Sequence, residues 1–363
     1  MKKLLAQFVL GVLFTTAVAV GQTSVDETRA AKPDGMVEVS NVSGAVEVVG
    51  WDKDEVHVTG TLERNVERLD FDVRDGRTSI KVVLPDKVHK DASAYLTIHV
   101  PAASRLEIET VSAEVGVGGD SSGTLAETTS SDQGKAETEP GDVGLTAPGT
   151  KNASRRVGIK TVSGEVQLTA GAETISIQTV SGDVHVKVNA NVVEIQTISG
   201  DTSLSGTANR VESTSVSGDL ELSGVIASLS ATTVSGEVTA EGVATGAKMS
   251  TSSGDIRLAA REIENGEIET VSGEIDFKGA LAPNGRFDAS TRSGDITLRF
   301  TQEVSAAFEV DTMSGDVETE LGGTVPSVTK TGPGKPLRFS AGAGAGLVRI
   351  ETVSGDVLLR REN

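Results

Sequence analysis

Ser-Gly followed by Asp or Glu recurs at Ser163, Ser181, Ser199, Ser217, Ser235, Ser253, Ser272, Ser293, Ser314 and Ser354, and this repeat constrains the fold more than any other feature. The first five intervals are all 18 residues, and the next are 19, 21, 21 and 40. A unit such as Ile175-Ser-Ile-Gln-Thr-Val-Ser-Gly-Asp-Val-His-Val-Lys-Val188 alternates apolar and polar residues on both sides of Ser-Gly. Period-two alternation rich in Val, Ile and Thr means half-buried strands. Helix is disfavoured, because β-branched residues, Ser and Gly dominate every unit.

The alternation changes phase inside each unit. Ile175 and Ile177 are odd-numbered, whereas Val184, Val186 and Val188 are even. A straight strand cannot keep both sets on one side, so Ser-Gly must bend the chain. Gly164, Gly182, Gly200, Gly218, Gly236, Gly254, Gly273, Gly294, Gly315 and Gly355 are therefore read as structural turn residues. The other end of the unit varies, and Asn265-Gly266 and Asn284-Gly285 are turn signals there. Insertions thus collect at one corner while the Ser-Gly corner stays fixed.

A constant period with two strands per unit predicts an all-β, parallel β-helix-like solenoid of about 18–21 residues per coil. One coil cannot stand alone. Its few inward aliphatics contribute roughly 1.5–3 kcal/mol each, against about 1–2 kcal/mol for ordering each backbone residue. Stacking on both neighbours supplies the shared burial and ladder bonds. The competing reading is an antiparallel meander of hairpins, which would not require a near-constant length.

Residues 1–21 read as a secretory signal peptide. Lys2 and Lys3 precede an apolar run to Val18, and Ala17-Val18-Ala19 gives the small-x-small cleavage pattern. A membrane anchor fits less well, because the run is short and contains Gln7. Residues 22–35 read as a flexible lead-in, and 36–110 as an N-terminal β-rich cap and first coils. There Trp51, Phe71 and Tyr95 supply larger side chains to close one end of the core. Residues 111–158 read as degenerate coils or a disordered insertion, with Thr138-Glu-Pro-Gly-Asp-Val-Gly-Leu145 a decayed unit. The Ser-Gly-Asp/Glu solenoid itself is assigned to 159–361, with an irregular stretch at 322–346.

The chain has no Cys, which excludes disulfides, thiolate metal sites and thiol catalysis. Its net charge of −19 disfavours nucleic acid and anionic lipid as partners. No stretch after the leader is apolar enough to span a bilayer.

In stacked coils, equivalent residues form columns. Glu165, Asp183, Asp201, Asp219, Glu237, Asp255, Glu274, Asp295 and Asp316 would make an acidic one. Turn chemistry explains it, with each carboxylate accepting a backbone N–H. A calcium ladder is the alternative, with Asp183, Asp201, Asp219 and Asp255 as weak metal candidates. Thr161, Thr179, Thr197, Thr233, Thr270, Thr312 and Thr352 form a second column. It reads as an internal hydroxyl ladder, the alternative being a flat Thr-x-Ser array that orders water.

Signals for catalysis are thin. His57, His89, His99 and His185 lack metal spacing, and no catalytic residue or cofactor is assigned. Residues 111–276 contain no Phe, Trp or Tyr, which argues against a carbohydrate cleft along the regular coils. The place for an acidic pair would be 277–345, near Phe277, Phe287, Phe300, Phe308 and Phe339.

Four segments together carry a resemblance: the repeated Thr-Val-Ser-Gly-Asp-Val, Gly50-Trp51-Asp52, Val100-Pro101 leading into Leu106-Glu-Ile-Glu-Thr-Val-Ser112, and the closing Gly342-Ala-Gly-Ala-Gly-Leu-Val-Arg-Ile-Glu-Thr-Val-Ser-Gly-Asp-Val357. Over residues 36–361 the chain resembles the bacterial putative-adhesin family of β-strand-repeat proteins, a domain of unknown function. The resemblance implies a β-helix-like solenoid and an envelope location, and it brings no catalytic residues. Ala113 stands where the pattern wants Gly. The expected function is that of an exported, non-enzymatic adhesin-like or scaffold protein of the periplasm or cell surface, with an unidentified envelope or surface partner. The alternatives are a carbohydrate-active β-helix enzyme and a calcium-dependent structural repeat protein.

Overall fold

The computed structural model describes residues 22–85, 92–119, 156–321, 328–330, 336–343 and 345–362. The segments read as signal peptide, as decayed unit and as part of the late irregular stretch lie wholly or partly outside these residues.

The described chain is almost entirely strand, and consecutive repeats stack in parallel with a register equal to the sequence period. Val184 pairs with Val166 on one side and Thr202 on the other. The same register continues through Thr202↔Leu220↔Val238↔Ile256↔Ile275↔Ile296. Parallel pairing at this offset excludes the hairpin meander. The fold is a β-solenoid.

Each coil has two arms joined at Ser-Gly. In Val184–Gln196, Val184, Val186 and Val188 point inward on one arm, and Val193 and Ile195 do so on the other. All belong to one continuous core running the length of the stack. Such a core works because a parallel ladder satisfies every backbone group while β-branched side chains fill the space between arms. Extra residues are absorbed away from Ser-Gly. The register slips between Glu241 and Gly246 and between Ala259 and Asn265, while Ser253, Ser272 and Ser293 stay aligned.

Both ends depart from simple sequence order. At the N-terminal end, Arg77–Val83 and Ala94–Pro101 pair in parallel with Met36–Trp51. Arg68–Arg74 and Glu55–Leu62 then cover that layer in antiparallel fashion. The stretch read as a flexible lead-in differs from expectation. Thr23–Ala30 is a strand paired antiparallel with Glu55–Leu62, and Val25 is buried. A strand with so few apolar residues gave no periodic signal; edge pairing, the buried Val25 and the Asp26–His57 contact (2.9 Å) hold it.

Of the aromatics expected to plug this end, only Phe71 is buried. Trp51 is half-buried and packs on His99, with ring centroids 5.0 Å apart, while Tyr95 is exposed. At the other end the closing unit does not stack last. Gly346–Ser354 sits between Arg286–Ser293 and Ala306–Ser314. Leu337–Ala341 then covers Ala306–Val310 as an antiparallel cap.

Candidate functional site

The Ser-Gly edge is where the repeat places its recurring side chains in register, and three columns meet there. The innermost is threonine. Thr161, Thr179, Thr197, Thr233, Thr270, Thr312 and Thr352 are all buried. Their hydroxyls serve the bend: Thr197 Oγ1 donates to the Ser199 carbonyl (3.3 Å) and Thr270 Oγ1 to the Gly254 carbonyl of the preceding coil (3.2 Å). Burial overturns the reading of these threonines as a water-ordering face. The residue between Thr and Ser faces outward instead.

At the bend, Gly164, Gly182, Gly200, Gly218, Gly236, Gly254, Gly273, Gly294 and Gly355 have φ between 122° and 159°, whereas Gly315 has no such φ. Contact is the second constraint, and it applies to Gly315 as well. A Cβ there would lie 2.0 Å from the Gly355 carbonyl oxygen, and one on Gly182 would lie 2.2 Å from that of Gly164. Successive bends therefore nest with no room for a side chain.

The acidic column continues the nesting. Asp183 Oδ1 accepts the N–H of Asp201 (2.9 Å), Asp201 that of Asp219 (2.9 Å), and Asp219 that of Glu237 (2.8 Å). Asp255, Asp295 and Asp356 do the same for Glu274, Asp356 and Asp316. Glu165 and Glu237 pair instead with His185 (3.5 Å) and Arg257. An aspartate is short enough to turn back on the ladder, and a glutamate reaches past it. Of the weak metal candidates, Asp183, Asp201, Asp219 and Asp255 each commit one oxygen to this bond. Among the described residues no group of three or more His, Asp or Glu side chains is arranged to hold a metal ion.

The outermost column escaped the sequence reading. Val111, Val162, Val180, Ile198, Val216 and Val234 occupy the middle position of Thr-x-Ser (Ser215-Val216-Ser217 in one coil) in six successive coils and are 43–52% exposed. Val271, Met313 and Val353 repeat the exposure farther along, with Ser252 and Arg292 interrupting. The signal was in the parity. If Ile177 and Thr179 face in, Val180 faces out.

The region expected to hold a cleft is built differently. Phe277, Phe287, Phe300 and Phe308 are fully buried; Phe277 lies 4.5 Å from Phe287 and 5.9 Å from Phe300 between ring centroids, Phe300 lies 6.0 Å from Phe308, and Phe339 stacks on Phe308 at 4.8 Å. These rings fill the core where the coils lengthen and line no cleft. A shallow groove of about 620 Å³ runs over the outer face, lined by Lys248, Glu267, Arg286 and Asp288 among others. Two of its acids are committed to cations, Glu267 to Lys248 (3.0 Å) and Asp288 to Arg286 (2.6 Å), and Glu269 and Glu351 also line it. The Asp288 contact raises the Arg286 guanidinium further above its ordinary value. A glycosidase needs one carboxyl kept neutral beside a second that is free to act, and ion pairing withdraws Glu267 and Asp288 from those roles.

Stacked parallel coils, nested glycine bends and an aspartate–amide ladder define a repeat β-solenoid. The Toastrack DUF4097 family model matches the chain twice, over residues 16–222 and 172–360, and the chain belongs to that family. No curated protein matches it. Among solved structures, a putative adhesin from Parabacteroides distasonis is similar at 15% identity, covering 77% of this chain and 97% of that one, with a TM-score of 0.42. A putative adhesin from Parabacteroides merdae is similar at 11% identity over 77% and 96% of the two chains, with a TM-score of 0.40. A putative lipid binding protein from Parabacteroides distasonis is similar at 16% identity over 76% and 97%, with a TM-score of 0.41. No helix among the described residues is long and apolar enough to cross a membrane.

Proposed function

We propose that this protein is exported and acts in the cell envelope as a non-catalytic display scaffold with an adhesin-like role. One observation carries the reading. Nine of the twelve large hydrophobic side chains exposed on the described surface share a single position of the repeat. Exposed apolar residues scatter on an ordinary soluble protein, and a contiguous set marks a contact surface. A rigid stack presents that set at a fixed spacing of about 4.8 Å per coil. Many weak contacts then act together, because engaging one raises the effective concentration of the next.

Export is supported by the basic-apolar-small pattern of residues 1–21. Cell fractionation tests the location. Full-length chain carrying a C-terminal epitope is expected in the periplasmic or surface fraction, shortened by the leader. A chain of unprocessed mass in the cytosol overturns the envelope role.

A further inference from the structure

We infer that the Ser-Gly edge receives a basic, amphipathic polypeptide segment of a partner protein, its apolar side chains seated on the valine ridge and its Lys or Arg groups against the flanking carboxylates. This deepens the display reading and rests on it, adding the chemistry of the partner.

The ridge is longest where it is unbroken, from Val111 to Val234. Five steps of about 4.8 Å make it about 24 Å long, the length of a helix of about 16 residues. Its side chains are β-branched and stand on a hydrogen-bonded ladder, so little rotamer freedom is lost when they are covered. Ser252 and Arg292 interrupt it beyond that point, so the apolar footprint has a defined end.

Charge selects among possible occupants. One flank of the ridge is the column Glu165, Asp183, Asp201, Asp219 and Glu237, exposed or half-exposed throughout. On the other flank Glu194 and Glu212 face outward from the preceding strand. A second copy of this chain, itself at −19, would set carboxylates against carboxylates. Anionic lipid would meet the same repulsion. A segment with apolar residues between cations satisfies both features, and complementary charge also speeds encounter.

The test uses the purified protein and a labelled peptide of about 16 residues, patterned Leu/Lys to be amphipathic as a helix, read by fluorescence anisotropy. Two comparison peptides keep one feature each: Ser/Lys retains the charge, and Leu/Glu retains the apolar face. The key variant is Val180→Ser with Ile198→Ser and Val216→Ser, because Ser252 already occupies the equivalent position. Val225→Ser, an exposed valine outside the ridge, is the control.

Leu/Lys is expected to bind, and the triple variant to weaken it about tenfold or more, the scale of truncating a contact centre. Val225→Ser is expected to leave binding unchanged, and both comparison peptides to bind about tenfold more weakly or worse. Circular dichroism checks the fold of the triple variant. If it does not fold, Ile198→Lys is read in its place, since Arg292 shows that the position accepts a cation.

Absence of Leu/Lys binding, or equal binding by the triple variant, overturns the inference. So does equal binding of Leu/Glu, capture of phosphatidylglycerol vesicles through the ridge, or a dimer in sedimentation that the triple variant abolishes. Fractionation keeps the two readings apart. Cytosolic location defeats the envelope role without touching the peptide result, and lost binding in an envelope protein defeats the partner assignment alone.

Discussion

Asp201 Oδ1 accepts the main-chain N–H of Asp219, 2.9 Å away in the next coil. The bend at Ser-Gly turns an amide out of the regular ladder, and the aspartate one coil earlier satisfies it. Side chain and bend thus explain each other: glycine lets successive coils nest, and nesting brings the carboxylate within reach.

Asp201→Asn keeps an acceptor oxygen in place and is expected to be near neutral. Asp201→Ala leaves the Asp219 amide to water and is expected to cost about 0.5–1.5 kcal/mol, the net worth of one hydrogen bond. Asp201→Glu should cost as much as alanine, because Glu165 and Glu237 turn to other partners. Chemical denaturation of the three variants measures this. Glutamate matching aspartate would contradict the length argument.

The same bond bears on cations. A carboxylate column with one oxygen committed per residue makes a poor ligand set for a hard ion that takes six to eight oxygens. Adding a chelator is expected to leave the melting midpoint unchanged. A fall in the midpoint, restored by calcium, would return the acidic column to a metal-binding role.

Gly218→Ala faces two obstacles, a φ of 128° and a carbonyl oxygen 2.2 Å from the new Cβ. The backbone conformation alone costs on the order of 1–3 kcal/mol, and the contact forces coils apart. Val216→Ser, two residues away but outward-facing, is expected to stay within about 0.5 kcal/mol. Equal melting of the two variants would mean that the bend tolerates a side chain.

Much of the fold was legible because the repeat reports its own geometry. Eighteen residues between Ser181 and Ser199 gave the stacking register, and the switch from Ile177 to Val184 gave the bend. What escaped was set by tertiary pairing. Thr23–Ala30 has little apolar patterning, and only its partner strand makes it a strand. The insertion of Gly346–Ser354 inside the stack leaves no mark on a linear chain, since its motif matches every other unit. The ridge was legible and overlooked: Val180 looks like core by composition, and only its parity against Thr179 places it outside.

Glu309 holds the C-terminal cap to the returning unit. Its carboxylate accepts from Arg338 on the antiparallel cap and from Arg349 on the inserted strand (3.2 Å). The Arg338 bond, then the Arg349 bond, lower its pKa below the ordinary carboxylate value. A lowered folded-state pKa contributes stability present above the unfolded value and lost as pH falls through the folded one. Glu309 is half-buried and both arginines are exposed, so the effect is local and modest. Glu309→Gln is expected to speed proteolysis near 336–343 at neutral pH. The difference from the parent should shrink once the medium is acid enough to protonate the parent's own carboxyl. An equal difference at both pH values would assign the effect to packing.

Phe300 tests the aromatic end of the stack. Its ring lies between Phe277 at 5.9 Å and Phe308 at 6.0 Å, both near edge-on, inside coils longer than the 18-residue repeat. Longer coils leave space that Val and Ile cannot fill, and the rings occupy it. Phe300→Ala removes a fully buried ring, and about 3–5 kcal/mol of stability is expected to go with it. Phe300→Leu keeps most of the volume and should recover the larger part of that loss. Denaturation curves read both. If Phe300→Ala left stability intact, these aromatics would not be core, and the cleft reading for residues 277–345 would reopen.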